Sequence, residues 1–249
     1  MRLTLWENNM NHIELMGAIV DTNLRYTPNG KAILDVTLAA TANRGVWYQR
    51  VSMFGRMAER AADVKKGLVM HVAGRVTQER WESKDGEKKS AVRVIANNAH
   101  VLGVNLPMEA DKRGQLLLKN GLHRMTLIAN LVRDMEVREA GDKRIASGAV
   151  AWNENRKVND EWESTPHYFE VVAWSDSHAF DAFLNRVKGD RILVNGELRT
   201  RSWEAQDGAR RWKTEIVASS AFLLLRTGDL PNASKSTLDI DANPDDMPF

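Results

Sequence analysis

The chain has 249 residues, 43% hydrophobic and 27% charged, which suits one large or two ordinary domains of a water-soluble protein. Its lack of cysteine excludes disulfides and thiolate metal sites, and no apolar run reaches the length of a membrane span, so a cytoplasmic location is expected. The formal charge of +2 conceals a split: residues 229–249 carry five acids against one base, leaving +6 on the rest, and a basic body with an acidic end suits a polyanionic ligand.

From the N-terminus, residues 12–20 and 32–41 are rich in β-formers, the second stretch following the turn signal Thr27-Pro28-Asn29-Gly30. Residues 47–54 predict a third strand. Residues 56–66, rich in Ala, Glu, Arg and Lys, predict a helix with Gly67 as its stop. Residues 69–82 and 88–96 flank Lys84-Asp85-Gly86-Glu87, where Asp-Gly is the preferred two-residue hairpin turn. Three strands, a helix and a hairpin is the order of a five-stranded OB-fold barrel. Residues 104–121, with Pro107, Gly114 and several charges, read as a linker.

Beyond it the first unit recurs. Val72-Ala73-Gly74, Trp81-Glu82 and Asp85-Gly86 return as Val194-Asn195-Gly196, Trp203-Glu204 and Asp207-Gly208, each 122 residues later. Leu15-Met16-Gly17 parallels Leu127-Ile128-Ala129, and Trp47-Tyr48 with Val51 parallels His167-Tyr168 with Val171, the changed spacing placing length differences in loops. A helix is expected at residues 180–188. The predicted fold class is all-β: two tandem OB-fold barrels over residues 1–103 and 122–226, each with one short helix. A disordered acidic tail is expected over residues 227–249, where no apolar periodicity remains. That tail closes on Asp245, Asp246, Met247, Pro248 and Phe249; a terminal ring beside a carboxylate and acids can be captured by an apolar pocket rimmed with bases, although most acidic tails are only solvated ends.

Four motifs now carry a resemblance. Residues 196–203, the Asp207-Gly208 turn and residues 212–217 look like the last hairpin of the bacterial single-stranded DNA-binding protein family. Residues 47–55 and 24–30 match two further family motifs, and Asp239-Ile240-Asp241 through Pro248-Phe249 resembles the family's partner-recruiting tip. Two copies per chain resemble the subclass in which a homodimer supplies four OB-folds. The resemblance implies sequence-independent binding of single-stranded DNA in replication, recombination and repair, recruitment of replication and repair proteins through the tip, a nucleoid-associated location, and no cofactor or metal. The chain departs from the family in having Arg44 and Arg156 about where a stacking aromatic often stands. The loop beside Arg44 is nearly absent, residues 155–166 form a long one in the second copy, and the linker before the tip is short.

Single strands offer phosphates and exposed base faces, so such a binder needs bases along a groove with aromatics to stack on, at ~1–3 kcal/mol per stacked base, a general magnitude for single-strand binders, this family included. Trp81 and Trp203 sit near polar hairpin turns beside Arg80 and Arg201, where a structural tryptophan would be poorly buried. Trp212 joins them. Family matching favours stacking at Tyr48, Phe54, Tyr168 and Trp174, while period alone is equally consistent with core packing. Trp6, Trp152 and Trp162 have no assigned role. Arg25, Arg56, Lys88, Lys89, Arg199, Arg210 and Arg211 are candidates for a phosphate track, the bland alternative being solvated faces.

With two-residue turns, Trp203 is expected opposite Trp212 and Trp81 opposite Ser90, near enough to the turns for the pairing to hold. The same register sets Glu82 opposite Lys89 and Glu204 opposite Arg211 as possible ion pairs. It also places Val92 and Val94 on the face of Trp81. Arg199 and Arg201 stand where the first copy has Thr77 and Glu79, so the second hairpin is expected to bind more strongly. A nuclease is the rival class, but the only dense acids lie in the tail, and His12, His71, His100, His123, His167 and His178 show no ligand spacing. An OB-fold module that binds RNA or anneals strands is the other alternative.

Overall fold

The computed structural model describes residues 9–42, 45–82, 86, 88–103, 105–204, 208 and 210–224, with the side chains of Lys88 and Arg211 left out. Arg44, the Asp-Gly aspartates and the expected acidic tail with its tip lie outside the described residues. The first unit runs β1 (Asn11–Tyr26), β2 (Ala32–Ala42), β3 (Gly45–Phe54), α1 (Arg56–Arg60), β4 (Val69–Glu82) and β5 (Lys88–Leu102). Between the units lie β6 (Met108–Ala110) and β7 (Leu116–Leu118). The second unit runs β8 (Leu122–Leu131), β9 (Glu136–Ala140), β10 (Lys143–Val158), β11 (Glu161–Trp174), α2 (His178–Phe183), β12 (Arg191–Glu204) and β13 (Arg210–Leu223).

Each unit closes into a barrel. β1 pairs with both β2 and β4, and β3 meets β5 in parallel at Val51–Val94. In the second unit β8 pairs with both β10 and β12, and β11 meets β13 in parallel at Val171–Ile216. Alternating apolar residues on long strands face inward, and the helix plugs the barrel end: Ala58 of α1 is buried, as are Ala179, Phe180 and Phe183 of α2. The helices are shorter than the sequence suggests. Once the apolar side chains are seated, residues 61–67 turn toward β4, and after α2 Leu184 is extended and Asn185 takes φ 60°, so helix propensity beyond those points finds nothing to pack against.

The two barrels share an edge. β1 and β8 pair antiparallel with Ile13 opposite Met125, and these two residues are also equivalent in the repeat, since Ile13 faces Gly74 and Met125 faces Gly196. A pseudo-two-fold axis therefore passes between them, as at an isologous interface. One buried cluster contains Ile13 and Leu15 together with Met125 and Leu127. Two expected irregular stretches are ordered. In the stretch read as a linker, Leu117 and Leu118 are buried, Leu117 against Val20 and Ala39 and Leu118 against Ala18, Ala40 and Val69. The long loop expected at residues 155–166 is instead a continuation of β10 and β11, paired to Val158–Glu161 around Asn159 and Asp160, both at positive φ.

The hairpin register corrects the sequence expectation by one residue. Trp81 faces Lys89, not Ser90, and Trp203 faces Arg211, not Trp212; Trp212 stands opposite Ser202 on the other face. Glu82 likewise faces Lys88, and Glu204 faces Arg210. A two-residue turn would have put Val92 and Val94 on the outer face and Ile216 opposite Arg199. The slip sets Val94 opposite Val76 and Ile216 opposite Leu198, all buried. A bulge at Gly74 and another at Gly196 restore the expected register on the far side, with Ala73 opposite Asn98 and Asn195 opposite Ser220. Glycine is required there because an added Cβ would lie 2.3 Å from the Ile95 carbonyl oxygen in one barrel and 2.3 Å from that of Val217 in the other.

Candidate nucleic-acid interface

Strand alternation sorts the aromatics into two classes. Trp47 faces inward and packs its ring 5.0 Å from His123; Trp152 is buried and stacks on His167 at 5.5 Å. Tyr48, Phe54, Trp81, Tyr168, Trp203 and Trp212 are exposed by 37% to 64%, far more than packing against a core would leave. Trp174, the counterpart of Phe54, is half-buried and packs against Ile145, Val172 and Val217.

Guanidinium groups lie against several of the exposed rings. Arg201 stands 5.5 Å from the centroid of Trp203, Arg210 stands 5.9 Å from that of Trp212, and Arg80 stands 5.0 Å from that of Tyr168. The last contact spans the two barrels. Gln78 of β4 also accepts from the Tyr168 backbone N–H, and its own N–H donates to Nδ1 of the buried His167 at 2.9 Å. Between this hairpin and the second barrel runs a groove of about 360 Å³ lined by Gln78, Ser90, Val92, Tyr168, Trp212 and Lys213.

The faces of the two hairpins differ in where charge stands: Arg199 and Arg201 occupy the positions of Thr77 and Glu79. Among the described side chains, the Trp203 side of β12–β13 carries Arg199, Arg201 and Lys213 with Glu197 and Glu215. The Trp81 side of β4–β5 carries Arg75, Lys89 and Arg93 with Glu79, and Arg93 is paired with Glu79. Partial neutralisation occurs in the second hairpin too: Arg199 meets Glu197 at 2.9 Å and Arg201 meets Glu215 at 3.3 Å. These pairs are exposed on the arginine side, so solvent screening leaves them weak and exchangeable.

On the outer face of β2–β3, Asp35 is buried yet sits in an apolar run. It accepts from the Ser52 hydroxyl at 2.5 Å and pairs with Arg50 at 3.0 Å and Arg25 at 3.4 Å. A buried carboxylate thus orients two exposed guanidinium groups, that of Arg50 two residues along β3 from Tyr48. The sequence reading missed Asp35 and Arg50; a lone acid within Ala32-Ile33-Leu34-Asp35-Val36 was the available signal. The other bases are scattered more widely. Lys31, not singled out from sequence, lies 5.7 Å from the Phe54 ring, Arg56 is exposed on α1, and Arg156 meets Glu163 across the β10–β11 hairpin at 3.5 Å. Trp162, beside that pair, is 74% exposed.

Beneath the second hairpin, His123 accepts from the Leu198 N–H, and burial, with Arg199 adding to it, pushes its imidazole down to about 4. It borders an inter-barrel cleft of about 610 Å³ with Ala42, Arg124, Asn195 and Glu197. Among the described residues no three or more His, Asp or Glu side chains are grouped to hold a metal ion, and no helix is long and apolar enough to cross a membrane.

Known proteins share this arrangement. Residues 10–102 and 122–224 each match the family model described as the single-strand binding protein family. The single-stranded DNA-binding protein of Thermus aquaticus is 38% identical over 223 residues, covering 84% of this chain and 82% of that one; its Deinococcus radiodurans counterpart is 32% identical over 232 residues, covering 87% and 76%. The crystal structure of the wild-type T. aquaticus protein superposes with a TM-score of 0.67 at 30% identity, covering 91% of this chain and 98% of that one. Two matched segments, each a closed barrel bearing exposed aromatics beside arginines, place this chain in the single-strand binding protein family.

Proposed function

We propose that this chain is a non-catalytic, sequence-independent binder of single-stranded DNA, with one binding domain on each barrel. The observation that carries the reading is the set of exposed rings with guanidinium groups beside them, because a strand without fixed sequence is held through phosphates and base faces. Tyr48, Phe54, Trp81, Tyr168, Trp203 and Trp212 supply stacking surface, with Trp174 a more enclosed platform. Arg25, Arg56, Arg80, Lys88, Lys89, Arg199, Arg201, Arg210 and Arg211 meet phosphates, and Arg44 and Arg156 extend the track. Titrating tryptophan fluorescence with oligo-dT at several salt concentrations tests this: quenching and a negative log–log salt slope are expected. Absence of quenching, or equal affinity for duplex, overturns it.

Protection of single strands in replication, recombination and repair follows from that activity, with partner proteins recruited through Asp245, Asp246, Met247, Pro248 and Phe249. Acids next to a terminal ring support this division of labour, since they repel phosphates and suit a basic, apolar pocket. Deleting Pro248-Phe249 leaves oligo-dT affinity intact and removes capture of replication and repair proteins. The chain further assembles as a homodimer supplying four barrels. The pseudo-two-fold pairing of β1 with β8 supports this, because one chain then reproduces a pair of single-barrel subunits. A monomer mass by sedimentation at micromolar concentration counts against it.

A further inference from the structure

The family match covers residues 10–102 and 122–224 and so passes over the β6–β7 hairpin, whose only evident task is to join the barrels. A connector needs neither a fixed tip nor charge at that tip. This hairpin has both. Leu117 and Leu118 anchor it across the outer face of β1 and β2, where Leu117 packs on Ala39, the cross-strand partner of Tyr48. At its far end the chain reverses at residues 111–115, with Gly114 at φ 76°.

The tip touches Tyr48. Its phenol hydroxyl donates to Asp111 Oδ2 at 2.8 Å, while Asp111 Oδ1 accepts from the backbone N–H groups of Arg113 at 2.8 Å and Gln115 at 2.9 Å. The Gln115 N–H first, and then the Tyr48 hydroxyl, hold the Asp111 carboxyl below the usual carboxylate range, so it stays an acceptor. Burial and the same hydrogen bond raise the Tyr48 phenol, so it stays a donor. Both oxygens of the acid are therefore engaged. What the tip presents outward is Lys112 and Arg113, both exposed.

We infer that the β6–β7 hairpin is a further arm of the first barrel's strand-binding surface, in which Asp111 fixes the Tyr48 ring and Lys112 and Arg113 meet the phosphates of a strand stacked on it. Asp111 is a positioning residue. A short hairpin bonded to the Tyr48 hydroxyl carries two exposed cations next in sequence to the acid that holds the ring. The inference rests on the proposed single-strand binding and names an element of that same site.

The test is oligo-dT titration of the full chain over a range of salt. Replacing Lys112 and Arg113 together with alanine is expected to make the log–log salt slope shallower by about 1.4, corresponding to two phosphates no longer neutralised, and to weaken binding roughly tenfold at 0.2 M salt. An unchanged slope in a variant that still binds overturns the arm while leaving the proposed function standing; a wild-type chain that fails to bind oligo-dT overturns the function itself. Tyr48→Phe keeps the ring and removes only its bond to Asp111. It is expected to bind a few-fold more weakly at unchanged slope, whereas Asp111→Asn, whose amide oxygen keeps the two backbone N–H groups while its NH2 donates to the phenol oxygen, is expected to keep near wild-type affinity. Tighter binding by Tyr48→Phe would mean that the hairpin holds the ring away from the strand, and would overturn the positioning role.

Discussion

The Trp81 hairpin and the Trp203 hairpin have the same bulge, the same register and an exposed tryptophan at the same place, yet their outer faces differ. In the second, Arg199 and Arg201 stand where the first has Thr77 and Glu79, and Glu79 engages Arg93. A deeper pair of equivalent positions shows the same divergence. Asn11 of the first barrel bonds both the N–H and the carbonyl of Val76, at 2.9 and 2.7 Å, whereas its counterpart His123 accepts only from the Leu198 N–H and leaves Nδ1 buried without a partner. Duplication preserved the backbone requirement and released the side chains. The first barrel has a neutral, fully bonded solution at this position, while the second has a titratable one.

The largest effect that breaks this comparison is on acid stability. His123 stays neutral in the fold down to about 4 but protonates near 6.5 once unfolded, so its contribution is present above pH 6.5 and is lost as pH falls toward 4. The loss amounts to ~3 kcal/mol over that window. His123→Asn, which installs the side chain used by the first barrel, removes that part of the pH dependence; denaturant unfolding at pH 7 and pH 4.5 measures it, and identical acid sensitivity in the two proteins would exonerate His123.

Base stacking sharpens the comparison next. Trp203→Ala weakens oligo-dT binding more than Trp81→Ala by ~1 kcal/mol, the lower end of one stacked base, because Arg201 flanks the Trp203 ring. Equal losses at matched salt and oligonucleotide length would show that the barrels share the load.

The smallest effects are those of single charges. Replacing Arg199 and Arg201 with alanine flattens the salt slope by about 0.7 for every phosphate no longer neutralised, and Glu79→Arg, which also frees Arg93, steepens it. The ion pairs of Arg199 with Glu197 and Arg201 with Glu215 reduce the first change below its full value, since part of each positive charge is already matched. A slope that responds to neither substitution would remove charge as the difference between the hairpins.

Much of this molecule was legible in its sequence because it is encoded locally. Alternating apolar residues, the Thr27-Pro28-Asn29-Gly30 turn and the recurrence of Trp81-Glu82 as Trp203-Glu204 act over a few residues or by self-similarity, so strand order and the two barrels could be read directly. Exposure of Trp81 and Trp203 followed from their polar hairpins, whereas at Tyr48 and Tyr168 period alone left core packing equally open. Side-chain partners were a different matter. The Asp-Gly signals correctly located the hairpins but gave the wrong register, because a one-residue slip that buries Val94 and Ile216 and turns Val92 inward outweighs a local turn preference. Asp111 meeting Tyr48 and Arg80 covering Tyr168 join residues 63 and 88 positions apart. No periodicity spans such distances; only closure of the barrels and their joining through β1 and β8 brings those groups within bonding range.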